Sequence, residues 1–399
     1  MSHETRDDEI PGEPRDATRR ELLRAVSVAA LGSAVAVGAS AGAPVQASGG
    51  AGSPAAGALP RSGRAWEVPP PYGTESLRQV RVPVPPPGPG ELLMRVRATG
   101  LNARDLTIVK GSFRQKPVPS GFVPLSDNAG EVVAVGAGVQ GFSPGDRVLC
   151  IHYPAWEDGR WHISKADLDL GASAPGFLRQ FAVVPASGVA KLPASLPFRE
   201  ACTLPVAGVT AWRALREIAN LAPGETMLTL GTGGVSVFGL QIAKMIGARV
   251  AITSSSDDKL ARMRELGADF TVNYRRNPQW GREVLELTGG ADVVMDNVGP
   301  TSLDQTLAAC SSAARVVFIG MVGGFAQTAA LPQMIMRGLS ITSMSNASRR
   351  SMQDFVRAID ANALKPVVGR AFGFDEAREA FRYFAESTDR IGNIVIDVD

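Results

Sequence analysis

The stretch from Thr226 to Thr253 constrains the fold more than any other part of the chain. Thr226–Leu230 (T-M-L-T-L) is a short apolar run, suited to a strand buried on both faces. Gly231-Thr232-Gly233-Gly234-Val235 follows directly. Phe238, Leu240, Ile242, Ala243 and Ile246 then recur at helical spacing up to Gly247, a C-terminal stop, and Arg249–Thr253 is a second strand. Strand, glycine turn, helix and strand form one half of a dinucleotide-binding unit. Gly231 permits the tight turn, and Gly233 lets backbone approach a pyrophosphate. The helix start at Gly234-Val235 offers that anion unpaired N–H groups and the positive end of a dipole. The third glycine of the G-x-G-x-x-G pattern is replaced by Ser236, which is still small enough for close helix–strand packing. Further strands at Asp292–Asp296, Arg315–Ile319 and Ser340–Ser343, with helices between, predict an α/β fold with a doubly wound parallel sheet.

The end of the second strand bears on which dinucleotide fits. NAD binders place Asp or Glu there for the ribose 2′-OH. This chain has Thr253-Ser254-Ser255-Ser256, whose hydroxyls can donate to a 2′-phosphate, and Lys259 and Arg275 add positive charge. The expectation is NADP(H) in preference to NAD(H), with Ser254, Ser255 and Lys259 as contacts. The competing reading is that these serines cap a helix beginning near Asp257.

A chain of 399 residues predicts two domains. Lys plus Arg total 41 against 39 Asp plus Glu, a balance that gives no reason to propose nucleic acid or an anionic membrane as partner. Cys150, Cys202 and Cys310 form no C-x-x-C pair, so a zinc ribbon is excluded by spacing and buried free thiols are expected. Near the start, Arg19-Arg20 precedes an apolar run from Ala25 to Ala39 and a small-residue site at Val45-Gln46-Ala47. The run is shorter than the about 20 residues of a stable membrane span. The pattern predicts a twin-arginine-type signal over 1–47, cut after Ala47. Export to the periplasm or outside the cell would follow, with the twin-arginine translocase as a transient partner. An uncleaved extension on a cytoplasmic protein is the alternative. Ser48 to Pro71 is rich in Gly, Ala, Ser and Pro and predicts a flexible tether, with the linker proper at 48–65.

Several segments together resemble the medium-chain dehydrogenase/reductase superfamily, on the zinc-free side that holds quinone oxidoreductases and zinc-binding alcohol dehydrogenase-like proteins. They are Leu125-Ser126-Asp127-Asn128-Ala129-Gly130-Glu131-Val132, Val135-Gly136, Pro144-Gly145-Asp146-Arg147-Val148 and Ala207-Gly208-Val209-Thr210-Ala211-Trp212. Leu266-Gly267-Ala268-Asp269, Asp296-Asn297-Val298-Gly299 and the closing Ile391-Gly392-Asn393-Ile394-Val395-Ile396 complete the match, which runs from about Trp66 to Asp399. The resemblance implies a GroES-like, β-rich substrate domain over 66–195, completed by 346–399, around a Rossmann domain over 196–345. The nicotinamide would lie in the cleft between them. It adds Thr210, Tyr274, Asn297, Gly320 and Met321 as cofactor contacts; the last two follow a strand at the end where open α/β sheets bind ligands. A homodimer is the default assembly. Zinc-dependent members hold their metal with Cys, His beside a Glu, and Cys or Asp. The matching positions here are Asn102, Ser126 beside Asp127, and Val206, and Ile151–Phe177 lacks the four-cysteine lobe. Valine cannot ligate, and Asn and Ser are poor zinc ligands, so no zinc is expected.

Without metal, the protein must align nicotinamide and acceptor and stabilise a developing enolate or alkoxide. Asn102 can donate an amide N–H to a carbonyl oxygen. Asp105 matches an acidic position common in the family, though capping backbone N–H groups is an equal role for it. Asp127 orients Asn102 or Arg104, or is a plain turn residue. His152 and Tyr153 are the one adjacent Tyr–His pair, and either can donate a proton or simply pack in a variable loop. The expected activity is hydride transfer from NAD(P)H to a quinone- or enone-type carbonyl compound. Zinc-free interconversion of alcohol and aldehyde or ketone is the second reading, and a non-catalytic NADPH-binding sensor the third.

Overall fold

The computed structural model describes residues 59–113, 116–320, 323 and 331–398, within the compact unit Gly57–Asp399. The signal-peptide reading, most of the linker and Met321 lie outside the described residues. The described end of the expected tether is not flexible: Ser62–Glu67 is a strand paired antiparallel with Arg78–Pro83, held by the buried Ala65 and Trp66.

Six parallel strands form one sheet, in the spatial order Phe270–Asn273, Arg249–Ser254, Thr226–Leu230, Ala291–Asp296, Cys310–Phe318 and Ser340–Ser343. In chain order this is 3-2-1-4-5-6, the doubly wound arrangement that binds dinucleotides where the order reverses. The reversal lies between Thr226–Leu230 and Ala291–Asp296, whose carboxyl ends open a crevice. Alternation explains why Thr226–Leu230 is buried at every position. Met227 packs with Val293, Met295 and Phe238 on one face, and Leu228 packs with Val294, Val316 and Leu307 on the other. The strand expected from Arg315 in fact begins at Cys310 and ends at Phe318. Its first part, Ser311-Ser312-Ala313, is partly or fully exposed and carries Ala313 at φ 58°, so no apolar run marked it.

The second sheet has seven strands and is built across the chain's length. Glu91–Leu101 pairs with Ala129–Val135, with Phe181–Pro185 and with the last strand, Asn393–Asp397. Ile396 sits opposite Thr99, so the end of the chain completes the sheet that its early part began. Leu92, Met94, Phe177 and Phe381 lie in its core. The fold is therefore a GroES-like domain joined to a Rossmann-type α/β domain. Cys150, Cys202 and Cys310 are all free and buried. No helix among the described residues is long and apolar enough to cross a membrane.

The two sheets are stitched at the glycine turn. Gly392 N–H donates to Thr232 O at 2.9 Å, and Thr232 Oγ1 donates to Arg390 O at 3.1 Å. A Cβ on Gly234 would lie 2.1 Å from Asn393 Oδ1, so glycine is required there by a neighbour from the other sheet.

Candidate active site

The crevice starts at Gly231, whose φ of 79° is in the left-handed region and whose N–H donates to Thr253 O at 2.9 Å. Helix Gly234–Ile246 follows and is closed by Gly247 at φ 92°. A Cβ at Gly231 or at Gly233 would meet nothing within 4 Å. The turn therefore leaves open space in front of a helix N-terminus, the shape a pyrophosphate requires. Ser236 does more than fit: its hydroxyl donates to Leu230 O at 2.8 Å and accepts from Asn297 Nδ2 at 2.9 Å. Asn297 thus ties the two strands at the switch point, and its Oδ1 is buried without a partner. Close helix–sheet approach falls instead at Gly239, where a Cβ would lie 2.8 Å from Met295 Sδ.

At the other end of the crevice, Ser256 caps helix Asp257–Glu265, accepting from Lys259 N–H. Capping thus falls to one of the three serines. Ser254 Oγ is buried and unpartnered, and Ser255 Oγ lies 3.5 Å from Lys259 Nζ. Lys259 Nζ donates to Thr388 O at 2.6 Å. Burial lowers the Lys259 pKa, Asp389 opposes that, and the nearby Arg390 and Arg275 lower it further. Tyr274 is 41% exposed on this rim, and its N–H donates to Ser254 O. Thr210 is buried in helix Val209–Trp212, and Gly320 stands two residues past Cys310–Phe318. These residues fit a dinucleotide: an open glycine turn at the pyrophosphate position, and hydroxyls with positive charge where the adenosine ribose would lie.

Across the cleft, the positions that match the metal ligands meet around a single carboxylate. Asp127 Oδ2 accepts from Asn102 Nδ2 at 2.7 Å, and Asp127 Oδ1 accepts from Val206 N–H at 2.8 Å. Burial pushes Asp127 up to about 8, against the Asn102 and Val206 hydrogen bonds that favour its anion. One N–H of the Asn102 amide is spent on Asp127, and an amide has two. Asp105 reaches back to Asn102 N–H at 2.8 Å, which caps helix Ala103–Ile108. Burial raises Asp105 to about 7, with Arg104 opposing. Leu125, two residues before Asp127, is fully buried at φ 74°, a costly conformation for a leucine. Phe177 N–H donates to its carbonyl at 2.8 Å and helps hold it. The Ser126 hydroxyl is buried with no partner.

His152 and Tyr153 are both buried, their ring centroids 3.8 Å apart, and Tyr153 continues into Trp161 and Trp156. Arg104 and two residues that the sequence did not single out, Asp169 and Asn346, complete this wall. Arg104 Nη2 donates to Asp169 Oδ1 and Oδ2 at 2.7 and 2.8 Å, and Arg104 Nη1 lies 2.6 Å from His152 Nδ1. His152 Nδ1 is 2.9 Å from Asp169 Oδ1, and His152 Nε2 is 2.5 Å from Asn346 Nδ2. Burial would raise Asp169, but Arg104 and His152 outweigh it and hold the carboxyl below its usual range. Nearby, Trp161, Ile163, Ser343, Met344 and Ser345 line a cavity of about 290 Å³ at the carboxyl end of strand Ser340–Ser343.

The zinc-binding dehydrogenase family matches residues 234–361, and the alcohol dehydrogenase GroES-like domain matches residues 88–194. A zinc-type alcohol dehydrogenase-like protein of Schizosaccharomyces pombe is 37% identical over 336 residues, 82% of this chain and 96% of its own. The acryloyl-coenzyme A reductase of Metallosphaera sedula is 28% identical over 322 residues, 78% of this chain and 93% of its own. A solved NAD-dependent alcohol dehydrogenase superposes with a TM-score of 0.77 at 35% identity, covering 84% of this chain and all of that one (100%). Fold and cleft together define a two-domain oxidoreductase of the NAD(P)-dependent type. The chain belongs to the zinc-binding alcohol dehydrogenase-like family of the medium-chain dehydrogenase/reductase superfamily.

The side chains at the positions that would hold the family's zinc do not fit it: the Val206 side chain has no lone pair, Asn102 and Ser126 are poor zinc ligands, and both Asp127 oxygens accept hydrogen bonds from Asn102 and Val206. Among the described residues no three or more His, Cys, Asp or Glu are grouped to hold a metal ion.

Proposed function

We propose that the protein is a zinc-independent, NADP(H)-preferring reductase of a C=C bond conjugated to a carbonyl, of the quinone or enone type. The observation that carries this reading is the Asn102–Asp127–Val206 hydrogen-bond set where relatives would hold a metal. An unactivated alcohol needs help to lose its proton, and Asn102, Ser126 and Val206 are not side chains that hold a zinc ion for that purpose. An enone needs a hydride at its β-carbon, a donor at its oxygen and then a proton at its α-carbon.

Bound NADPH would supply the hydride. Gly231, Gly233, Gly234 and Val235 hold the pyrophosphate by backbone. Ser254, Ser255, Lys259 and Tyr274 receive the adenosine ribose, and its 2′-phosphate would meet hydroxyls rather than a carboxylate. Thr210, Asn297 and Gly320 line the way to the nicotinamide. Asn102 turns its second amide N–H to the carbonyl oxygen and stabilises the developing enolate. Asp127 fixes that amide's orientation. Tyr153 is the acid–base candidate on the facing wall, with the His152 ring packed beside it. The name of the Metallosphaera relative, a reductase of an acryloyl thioester, supports conjugated C=C reduction. The alcohol dehydrogenase names of the others support the second reading, alcohol–carbonyl interconversion without zinc. Export rests on Arg19-Arg20 and the segment to Ala47.

The test is turnover by purified mature protein: NADPH and NADH with quinones and enones, NADP+ and NAD+ with alcohols, and elemental analysis of the same sample. NADPH oxidation by enones in metal-free protein is the expected result. Activity confined to alcohols, or dependent on stoichiometric zinc, would overturn it.

A further inference from the structure

We infer that His152 is a positioning residue rather than a proton donor: a neutral imidazole that holds Asn346, and with it the loop forming one wall of the cleft. The inference rests on the oxidoreductase reading above and assigns a role within it.

Donors and acceptors fix the ring. Pro205 O has only lone pairs, and Asn346 Nδ2 donates to it at 3.0 Å. Turning that amide over would set Asn346 Oδ1 against the Pro205 carbonyl, so its nitrogen must face this way. The same nitrogen lies 2.5 Å from His152 Nε2, which is therefore an acceptor without a proton. Asp169 Oδ1, a carboxylate oxygen 2.9 Å from His152 Nδ1, can only accept, so Nδ1 carries the hydrogen. Arg104 Nη1 lies 2.6 Å from Nδ1 and 3.1 Å from Nε2, close to both nitrogens at once and so over the ring face rather than in the plane of either N–H; it disfavours a positive ring without choosing the tautomer. Among the described residues, the charged and titratable groups seen against this ring include Arg104, Asp169 and Tyr153. Protonating Nε2 would aim one N–H at another and add a positive charge beside the guanidinium.

The ring's task follows from what Asn346 joins. Arg213 Nη1 donates to Ser345 O at 3.0 Å and to Asn346 O at 2.8 Å, anchoring the loop's backbone. His152 anchors its side chain from the substrate domain. Ser343, Met344 and Ser345, immediately before, line the cavity with Trp161 and Ile163. Arg104, Asp169, His152 and Asn346 therefore form one line of bonds from the Asn102 helix to the end of the last parallel strand.

Two measurements test this. The chain has three histidines, so protein labelled with 15N-histidine gives a readable ring spectrum, and His152 is assigned by the signals lost in His152→Gln. A protonated Nδ1 and a bare Nε2, unchanged from about pH 6 to about pH 8, are expected. A protonated Nε2 would overturn the inference, whether or not the protein turns over. The second arm is kinetic. Gln offers both an N–H donor and an oxygen acceptor, so His152→Gln should keep kcat within about threefold, whereas His152→Leu and Asn346→Leu should each lower it about 10²-fold with coenzyme affinity kept. The pH–rate profile should keep both limbs in all three. Equal losses in the Gln and Leu variants with a limb missing would make His152 the acid and sink the proposal. A wild type inert with every acceptor would instead defeat the oxidoreductase reading and leave the ring assignment standing.

Discussion

The glycine turn at 231–235 and the pocket around Asp127 are opposite ways of making a binding surface. The turn works by leaving space: a Cβ at Gly231 or Gly233 would meet nothing within 4 Å, and no side chain caps the helix that follows. The pocket works by filling it: both oxygens of Asp127 are engaged, Asp105 and Asp127 are fully buried, and His152 is wedged between Arg104, Asp169 and Asn346. Backbone sites depend on what a residue lacks. Side-chain sites depend on partners drawn from anywhere in the chain.

The sharpest way to break the contrast is to put a side chain into the empty side. Gly233→Val should weaken NADPH binding by at least about 10²-fold, read by coenzyme fluorescence, with little change in melting temperature, because the Cβ meets no protein atom. If the affinity held, the pyrophosphate would have to lie elsewhere. Next in size, Asn102→Ala should cost about 10²-fold in kcat for an enone with NADPH affinity unchanged, the effect of losing one oxyanion donor. An unchanged kcat would remove Asn102 from the chemistry.

On the filled side the first effect is on stability. Asp127→Ala strands the Val206 N–H and the Asn102 amide, and should lower unfolding free energy by about 2–3 kcal/mol in urea titrations. The pH dependence has a definite sign. Burial raises the Asp127 carboxyl from 3.8 to about 8, so the folded state binds a proton that the unfolded state has released. Its contribution is fully present below the unfolded value and is lost as pH rises toward the folded one. Stability should therefore fall between about pH 4 and pH 8. Asp127→Asn should flatten that slope, and an unaltered slope would show that Asp127 ionises normally. The smallest expected effect is at the adenosine end: Lys259→Ala should reduce the NADPH-over-NADH preference about fivefold, since the charge is partly exposed and shares its neighbourhood with Arg275 and Arg390. An unchanged ratio would put the 2′-phosphate elsewhere.

The same contrast governs what the sequence disclosed. The turn was legible because its parts are contiguous and each glycine has one reason to be there. The parallel strands were legible as apolar runs, and only the polar start of Cys310–Phe318 escaped. Asp169 and Asn346 were not, since they stand 17 and 194 residues from the histidine they bind. Each is an ordinary polar residue in a loop until the fold brings it in. Nor does any pattern announce that Leu125 adopts a positive φ. Gly239 is an intermediate case: a small residue one turn after Ser236 was a signal in plain view, and the fingerprint's own spacing drew attention away from it. The roles proposed for Asn102, Tyr153 and the coenzyme contacts await the measurements above.

Thr232 and Gly392 share a backbone bond between segments 160 positions apart. The glycine-rich curve that faces the coenzyme is thus splinted by the final strand, not only by its own sheet. Cutting the chain before residue 391 should therefore blunt nucleotide capture even though the severed piece carries no proposed coenzyme contact.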